Sequence, residues 1–409
     1  MLFPKNMNKT AATLLGVLIT SIFLLPGINF GGGLPVVRLE DVLVLLLLLE
    51  GARRLASPHI SNAPLNGYLA FLLLFALWMS VSMLGNGRIA RLSDYFEYYK
   101  MVKYGILIIF SYNIFSKHHF WLGDRVLYVV FGLLVAFNMA NYLNPWSFNQ
   151  TVMPWYASAE RIVSFGKDSM GNPTTRRILG TMGNPNGNGV LWSFIAAYFL
   201  VRMGSKPYHL PLFLVAVTMI ALAGSRTSFI GILVVVAVYW LIGRRSLKHL
   251  ALVAAAVLFA FAMVLLFNIQ YISMLWTADL MENPSWLARL EVWEHLWGMI
   301  IRSPMIGYGP NKEFFYLYGI YSENEYLLMT WRYGFPGLVM YIGLLLFPVL
   351  KAWKTRFSGS SRLVIITSTA MVISALTNNP FSEPRLMALY ALVVGGFYGQ
   401  LQYRLRYSQ

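Results

Sequence analysis

Residues 221–245 read ALAGSRTSFIGILVVVAVYWLIGRR, and this stretch decides the fold. The run from Phe229 to Ile242 carries no charged residue. A helix rises about 1.5 Å per residue, so the run with its flanks is long enough to cross a hydrocarbon core of about 30 Å. It ends in Arg244 and Arg245, the paired cations that mark a cytoplasmic connection. Arg226 stands at the opposite end, where topology asks for no cation. An unpaired guanidinium buried deeper would cost roughly 2.5–3.5 kcal/mol on insertion scales, so Arg226 either snorkels to lipid headgroups or pairs with an anion.

The pattern of this stretch repeats along the chain. Coarse spans fall at 11–30, 34–50, 65–84, 98–115, 126–143, 187–203, 208–223, 227–242, 249–267, 326–350, 363–378 and 386–402. Alternate connections hold Arg53 and Arg54, Lys117 and Arg125, Arg202 and Lys206, Arg244 and Arg245, then Lys351, Lys354, Arg356 and Arg362. Lys5 and Lys9 precede the first span, and Arg404 and Arg406 follow the last. The alternation predicts an all-α polytopic membrane protein of about twelve spans with both termini cytoplasmic, residues 1–409 forming one integral membrane domain. The first span resembles a signal sequence, but no small-x-small cleavage pattern follows, so it is expected to stay uncleaved.

Composition agrees. With 57% hydrophobic and 12% charged residues, the 409-residue chain has too little polar surface for a soluble globule. The net charge of +16 is split between two membrane faces and forms no long basic helix, which argues against nucleic acid. The absence of cysteine excludes disulfides and thiolate sites, and six scattered histidines show no metal-ligand spacing. Neither a metal nor a cofactor is expected. No internal repeat stands out, which weakens an inverted-repeat transporter.

Two external connections, 144–186 and 268–325, are too long to be turns and are expected to carry function on short amphipathic helices. In the second, Trp286, Leu290, Trp293, Trp297 and Ile300 recur at helical spacing with Arg289, Glu291 and Glu294 between them. Such a helix either lies on the membrane surface or packs on the bundle. Aromatic residues of these loops, Trp146 and Trp155 among them, either stack on sugar rings or anchor the interface.

Three motifs open spans from the external face. GTMGNPNGNG at 180–189 offers Asn184 as cap and Pro185 in the first turn, beside Arg176 and Arg177. GSRTS at 224–228 carries Arg226, and YSENEYLLMTWRYGFPG at 321–337 carries Glu323, Asn324, Glu325 and Tyr326. Arg385 opens the last span from the same side. Helix N-termini with neighbouring guanidinium groups make anion sites, and the spread of these cations on one face points to phosphate groups of a lipid-linked substrate. Glu323 and Glu325 are two residues apart, so one alone can address a central site. Gly334 and Gly337 are expected to serve close helix packing.

The NPN-bearing run, the SR pair, RLEVWEHLWGMIIRSPMIGYGP at 289–310 and the Asn-x-Tyr-Leu followed by Gly-x-x-Gly at 324–337 resemble the O-antigen polymerase and ligase superfamily. The resemblance covers roughly 176–345 and implies a GT-C-like, metal-independent, inverting glycosyltransferase of the bacterial inner membrane, acting outside the cytoplasm. It implies an undecaprenyl-diphosphate-linked oligosaccharide as donor, membrane lipids around it, and a chain-length regulator protein as partner. Arg176, Arg177, Arg226 and Arg289 would hold the diphosphate, Arg226 also stabilising it as it leaves. Glu323 would accept the proton of the attacking hydroxyl, with Glu325 in reserve, and Asn184, Asn186, Asn324, Tyr326 and Arg385 complete the candidates. Ligases of the superfamily carry histidine before the asparagine of the last motif, whereas this chain has Glu323, which favours polymerase. His295 matches no ligase motif and is expected on the surface. A ligase, or a carrier that flips lipid-linked sugars without chemistry, remains the alternative.

Overall fold

The computed structural model describes residues 9–28, 36–54, 64–86, 92–119, 124–165, 177–204, 206, 208–243, 255, 262, 284–310 and 322–407. These residues are helical with no β-strand among them: α1 (Lys9–Leu24), α2 (Leu39–Arg54), α3 (Asn66–Gly85), α4 (Leu92–Phe115), α5 (Asp124–Leu143), the short α6 (Phe148–Thr151) and α7 (Ala159–Phe165), α8 (Pro185–Met203), α9 (His209–Ala223), α10 (Arg226–Gly243), α11 (Pro284–Arg302), α12 (Glu325–Trp353), α13 (Gly359–Ser374) and α14 (Pro384–Tyr407). A helix lies over each expected span except 249–267, which falls outside the described residues apart from 255 and 262. Helices α3, α5, α10 and α12 are long and apolar enough to cross a membrane, and α1, α9 and α13 contribute shorter apolar segments.

The chain forms two compact units. The first holds residues 1–28, 121–278 and 352–374, and the second 29–120, 279–351 and 375–409. In the first, α8 is the core helix. It is buried along nearly its whole length and packs on α9, α10 and α13. Gly189 sits where α8 meets the start of α10, so close that a Cβ there would lie 2.6 Å from Ser228 Oγ. A small residue is what lets these two backbones approach.

In the second unit α14 lies along α4. Gly395 and Gly399, four apart on one face of α14, meet the α4 backbone, and a Cβ on Gly395 would stand 2.3 Å from the Ile108 carbonyl oxygen. Hydrogen bonds lock the pair: Ser111 Oγ donates to the Leu392 carbonyl at 2.6 Å, and Gln400 Nε2 to that of Phe115 at 2.7 Å. Without a hydrophobic drive between helices in lipid, close packing of this kind holds them together.

Helix α12 is broken. Gly334 adopts φ 67°, ψ −175°, so it is a break in the helix axis as well as a packing residue. The carbonyls freed by the break are taken up by the segment after α11: Tyr308 N–H donates to Trp331 O at 2.9 Å and Gly309 N–H to Arg332 O at 2.7 Å. In return Phe335 N–H donates to Pro304 O at 2.8 Å, and Trp78 Nε1 caps the Tyr333 carbonyl at 2.8 Å. Irregular backbone inside an apolar span is tolerated where protein re-satisfies its polar groups, and SPMIGYGP does that here.

Candidate functional site

The site candidates divide between the two units. In the first, Asn184 takes extended backbone angles (φ −150°, ψ 126°) and its side chain accepts the Asn186 N–H at 2.9 Å, with Pro185 following, so α8 starts as its sequence predicts. The turn before it requires glycine twice. Gly180 and Gly183 have φ of 58° and 63°, and a Cβ on Gly183 would collide with the Tyr156 carbonyl at 1.9 Å. Asn141, buried on α5, accepts the N–H groups of Leu179 and Gly180 at 2.8 and 3.2 Å and fixes this turn.

Arg177 is buried beside that turn. Its Nε donates to the Ala223 carbonyl at 2.9 Å and a terminal nitrogen to Asn186 Oδ1 at 2.8 Å, while Phe165 lies against the guanidinium plane. Arg177 therefore ties the last turn of α9 to the first turn of α8. Gly224, at φ 61°, ends α9, and Ser225 caps α10 through its Oγ to Ser228 N–H at 3.4 Å. Arg226 follows as the first residue of α10, partly exposed. With Gly189 against Ser225 and Ser228, the positive ends of α8 and α10 lie side by side. Arg176 lies outside the described residues.

In the second unit Asn324 caps α12 by accepting the Leu327 N–H at 3.1 Å. Glu325, fully buried, accepts the N–H groups of Phe381 and Ser382 at 2.9 and 3.3 Å and the Ser382 hydroxyl at 2.5 Å, so it anchors the turn before α14. Glu323 is partly exposed, sits at φ 40°, and is paired with Arg289 of α11, whose Nε donates to Glu323 Oε2 at 2.6 Å. Tyr326 packs edge-on to Tyr341, 5.8 Å between ring centres. Arg385 is buried in the first turn of α14.

Helix α11 buries Leu296 and Ile300 against Leu328 and Trp331 of α12. It is packed on the unit, and Trp297, expected on the apolar face, is half exposed against Phe335. His295 is exposed, as expected.

Sequence reading missed a buried charge cluster in this unit. Glu97 accepts from Lys100 at 2.9 and 3.1 Å and from Arg332 at 3.3 Å, and Lys103 reaches Asp41 at 2.6 Å and Glu40 at 3.5 Å. Lys100 also donates to the Ser382 carbonyl at 3.1 Å, next to the Glu325 anchor. The signal was present: ionisable residues three apart inside an apolar helix mark one working face.

Residues 211–342 match a family model described as O-Antigen ligase. Over that segment, about a third of the chain, the sequence is similar to the O-antigen ligase and polymerase superfamily. Arg226, Arg289, Glu323, Asn324, Glu325 and Tyr326 fall inside the matched segment, and Arg177, Asn184, Asn186 and Arg385 outside it. No curated protein matches the chain. The family is associated with enzymes of glycosyl transfer, which fits a lipid-linked polysaccharide substrate and a membrane setting.

Proposed function

We propose that this chain is a bacterial O-antigen or exopolysaccharide polymerase of the inner membrane, with about twelve spans, cytoplasmic termini and a site on the external face. The observation that carries the reading is the pairing of the α8 and α10 helix starts, with Arg226 on one and Asn186, bonded to Arg177, on the other. Helix N-termini and guanidinium groups stabilise phosphoryl oxygens as charge develops on them. The donor is a glycan on undecaprenyl diphosphate. An acceptor sugar hydroxyl attacks the anomeric carbon and forms the new C–O bond with inversion. The bond from that carbon to the diphosphate oxygen breaks, its electrons leave with the carrier diphosphate, and Glu323 takes the hydroxyl proton. Arg176 and Arg289 are further candidates for the diphosphate, and Asn324, Tyr326 and Arg385 remain candidate substrate contacts. A chain-length regulator is the expected protein partner.

A ligase reading fits the matching family as well, since the match does not separate the two branches. It differs in acceptor, lipid A core or a protein hydroxyl in place of a second lipid-linked unit. Purified protein in liposomes, given synthetic polyprenyl-diphosphate repeat units together with each acceptor class, separates the readings. A ladder of lipid-linked products with released carrier diphosphate supports the polymerase; transfer to core alone makes it a ligase, and flipping without new bonds makes it a carrier.

A further inference from the structure

The residue assigned as proton acceptor and a residue assigned to the diphosphate are bonded to each other. Both the Nε and a terminal nitrogen of Arg289 reach the same oxygen of Glu323. The pair is neither buried nor free in water, with side-chain exposures of 25% and 35%. The backbone under it is fixed from two sides. Trp293 Nε1 of α11 donates to the Ser322 carbonyl at 2.6 Å, and Asn324 caps α12 through Leu327 N–H. Glu323 is thus held at φ 40°, in a region L-residues seldom adopt, with its carboxylate against α11.

We propose that the Arg289–Glu323 ion pair is a latch opened by the donor: phosphoryl oxygens of the lipid diphosphate compete with the carboxylate for the Arg289 guanidinium and release Glu323 to receive a proton. The inference rests on the glycosyl-transfer reading above. A diphosphate offers more charge and more acceptor oxygens than one carboxylate, and the planar fork of arginine suits it. The Glu323 backbone is anchored, so its carboxylate cannot follow the guanidinium onto the ligand. Once the cation has moved, the carboxylate oxygen it occupied is open to accept the hydroxyl proton. The base is then active when a donor is in place and quiet when it is absent, which protects the lipid-linked sugar from transfer to water.

Competition for one guanidinium gives a signature that a structural ion pair does not. Farnesyl diphosphate is titrated calorimetrically into the detergent-solubilised full chain as wild type, Glu323→Gln, Arg289→Gln and the double variant. Glu323→Gln should bind the probe about three-fold tighter than wild type, since a partly exposed pair of this kind is worth a few-fold at most. Arg289→Gln should bind more weakly, and adding Glu323→Gln to it should change nothing. Should Arg289→Gln not fold, Arg289→Lys takes its place in the cycle. Equal or weaker binding by Glu323→Gln, or the same tightening in the Arg289 background, overturns the latch while leaving the diphosphate reading intact. A wild-type chain that does not bind the probe overturns both.

Discussion

Gly189 of α8 faces Ser225, the cap of α10, so closely that a Cβ on the glycine would stand 2.8 Å from the serine Cβ. Two helices separated by α9 in sequence therefore begin at one place, and the positive ends of their dipoles share one region.

Gly189→Ala tests whether that spacing matters. The new methyl has no free space, and forcing it in costs about 1–3 kcal/mol while pushing the helix starts apart. We expect a lower melting temperature and at least ten-fold less product in the liposome assay. Unchanged turnover would mean that the juxtaposition is packing alone.

Arg226→Ala should lower product formation about 10²–10³-fold, the range for losing one pre-placed donor to a leaving group's charge, at near-normal protein abundance. Arg226→Lys should be poorly tolerated as well, because a point charge does not reproduce the guanidinium fork. Wild-type turnover in the lysine variant would reduce Arg226 to simple charge attraction.

The two neighbouring glutamates should separate by phenotype. Glu325→Ala leaves the buried N–H of Phe381 and the part-buried N–H of Ser382 without their carboxylate acceptor, at about 1–3 kcal/mol, so a drop in melting temperature is its leading effect. Glu323→Gln breaks a partly exposed pair worth about 0–1 kcal/mol and should melt near wild type, yet lose turnover. Full activity in Glu323→Gln with loss in a stably folded Glu325→Gln would move the base to residue 325.

Gly395→Leu should separate α4 from α14, since its Cβ position already lies 2.3 Å from the Ile108 carbonyl oxygen. The expected outcome is a chain that accumulates poorly and melts early in detergent. Normal melting would show that the contact contributes little to folding.

What the sequence made legible follows from the range of each interaction. Apolar runs of bilayer length placed the helices, and Asn184–Pro185 placed the α8 start, because both signals lie within a few residues. The Gly334 break was hidden: its partners, Pro304, Tyr308 and Gly309, come from a different segment, so a run that reads as one helix is two. The Arg289–Glu323 pair was hidden for the same reason, as its members are 34 positions apart. Lys100 and Lys103 were passed over because a search for cations between spans does not look inside them, although a lysine buried in an apolar helix needs an acidic partner and so announces one. Arg177 was read as a ligand-binding cation, and what the structure shows of it is a tie between α9 and α8, which no local pattern announces.

The most direct test of the central claim is a cryo-electron microscopy map of the full chain with a bound polyprenyl diphosphate. The account predicts phosphate density at the joined starts of α8 and α10, within hydrogen-bond reach of Arg226. Phosphate density elsewhere, with Arg226 turned to a protein carboxylate or to lipid headgroups, would contradict it.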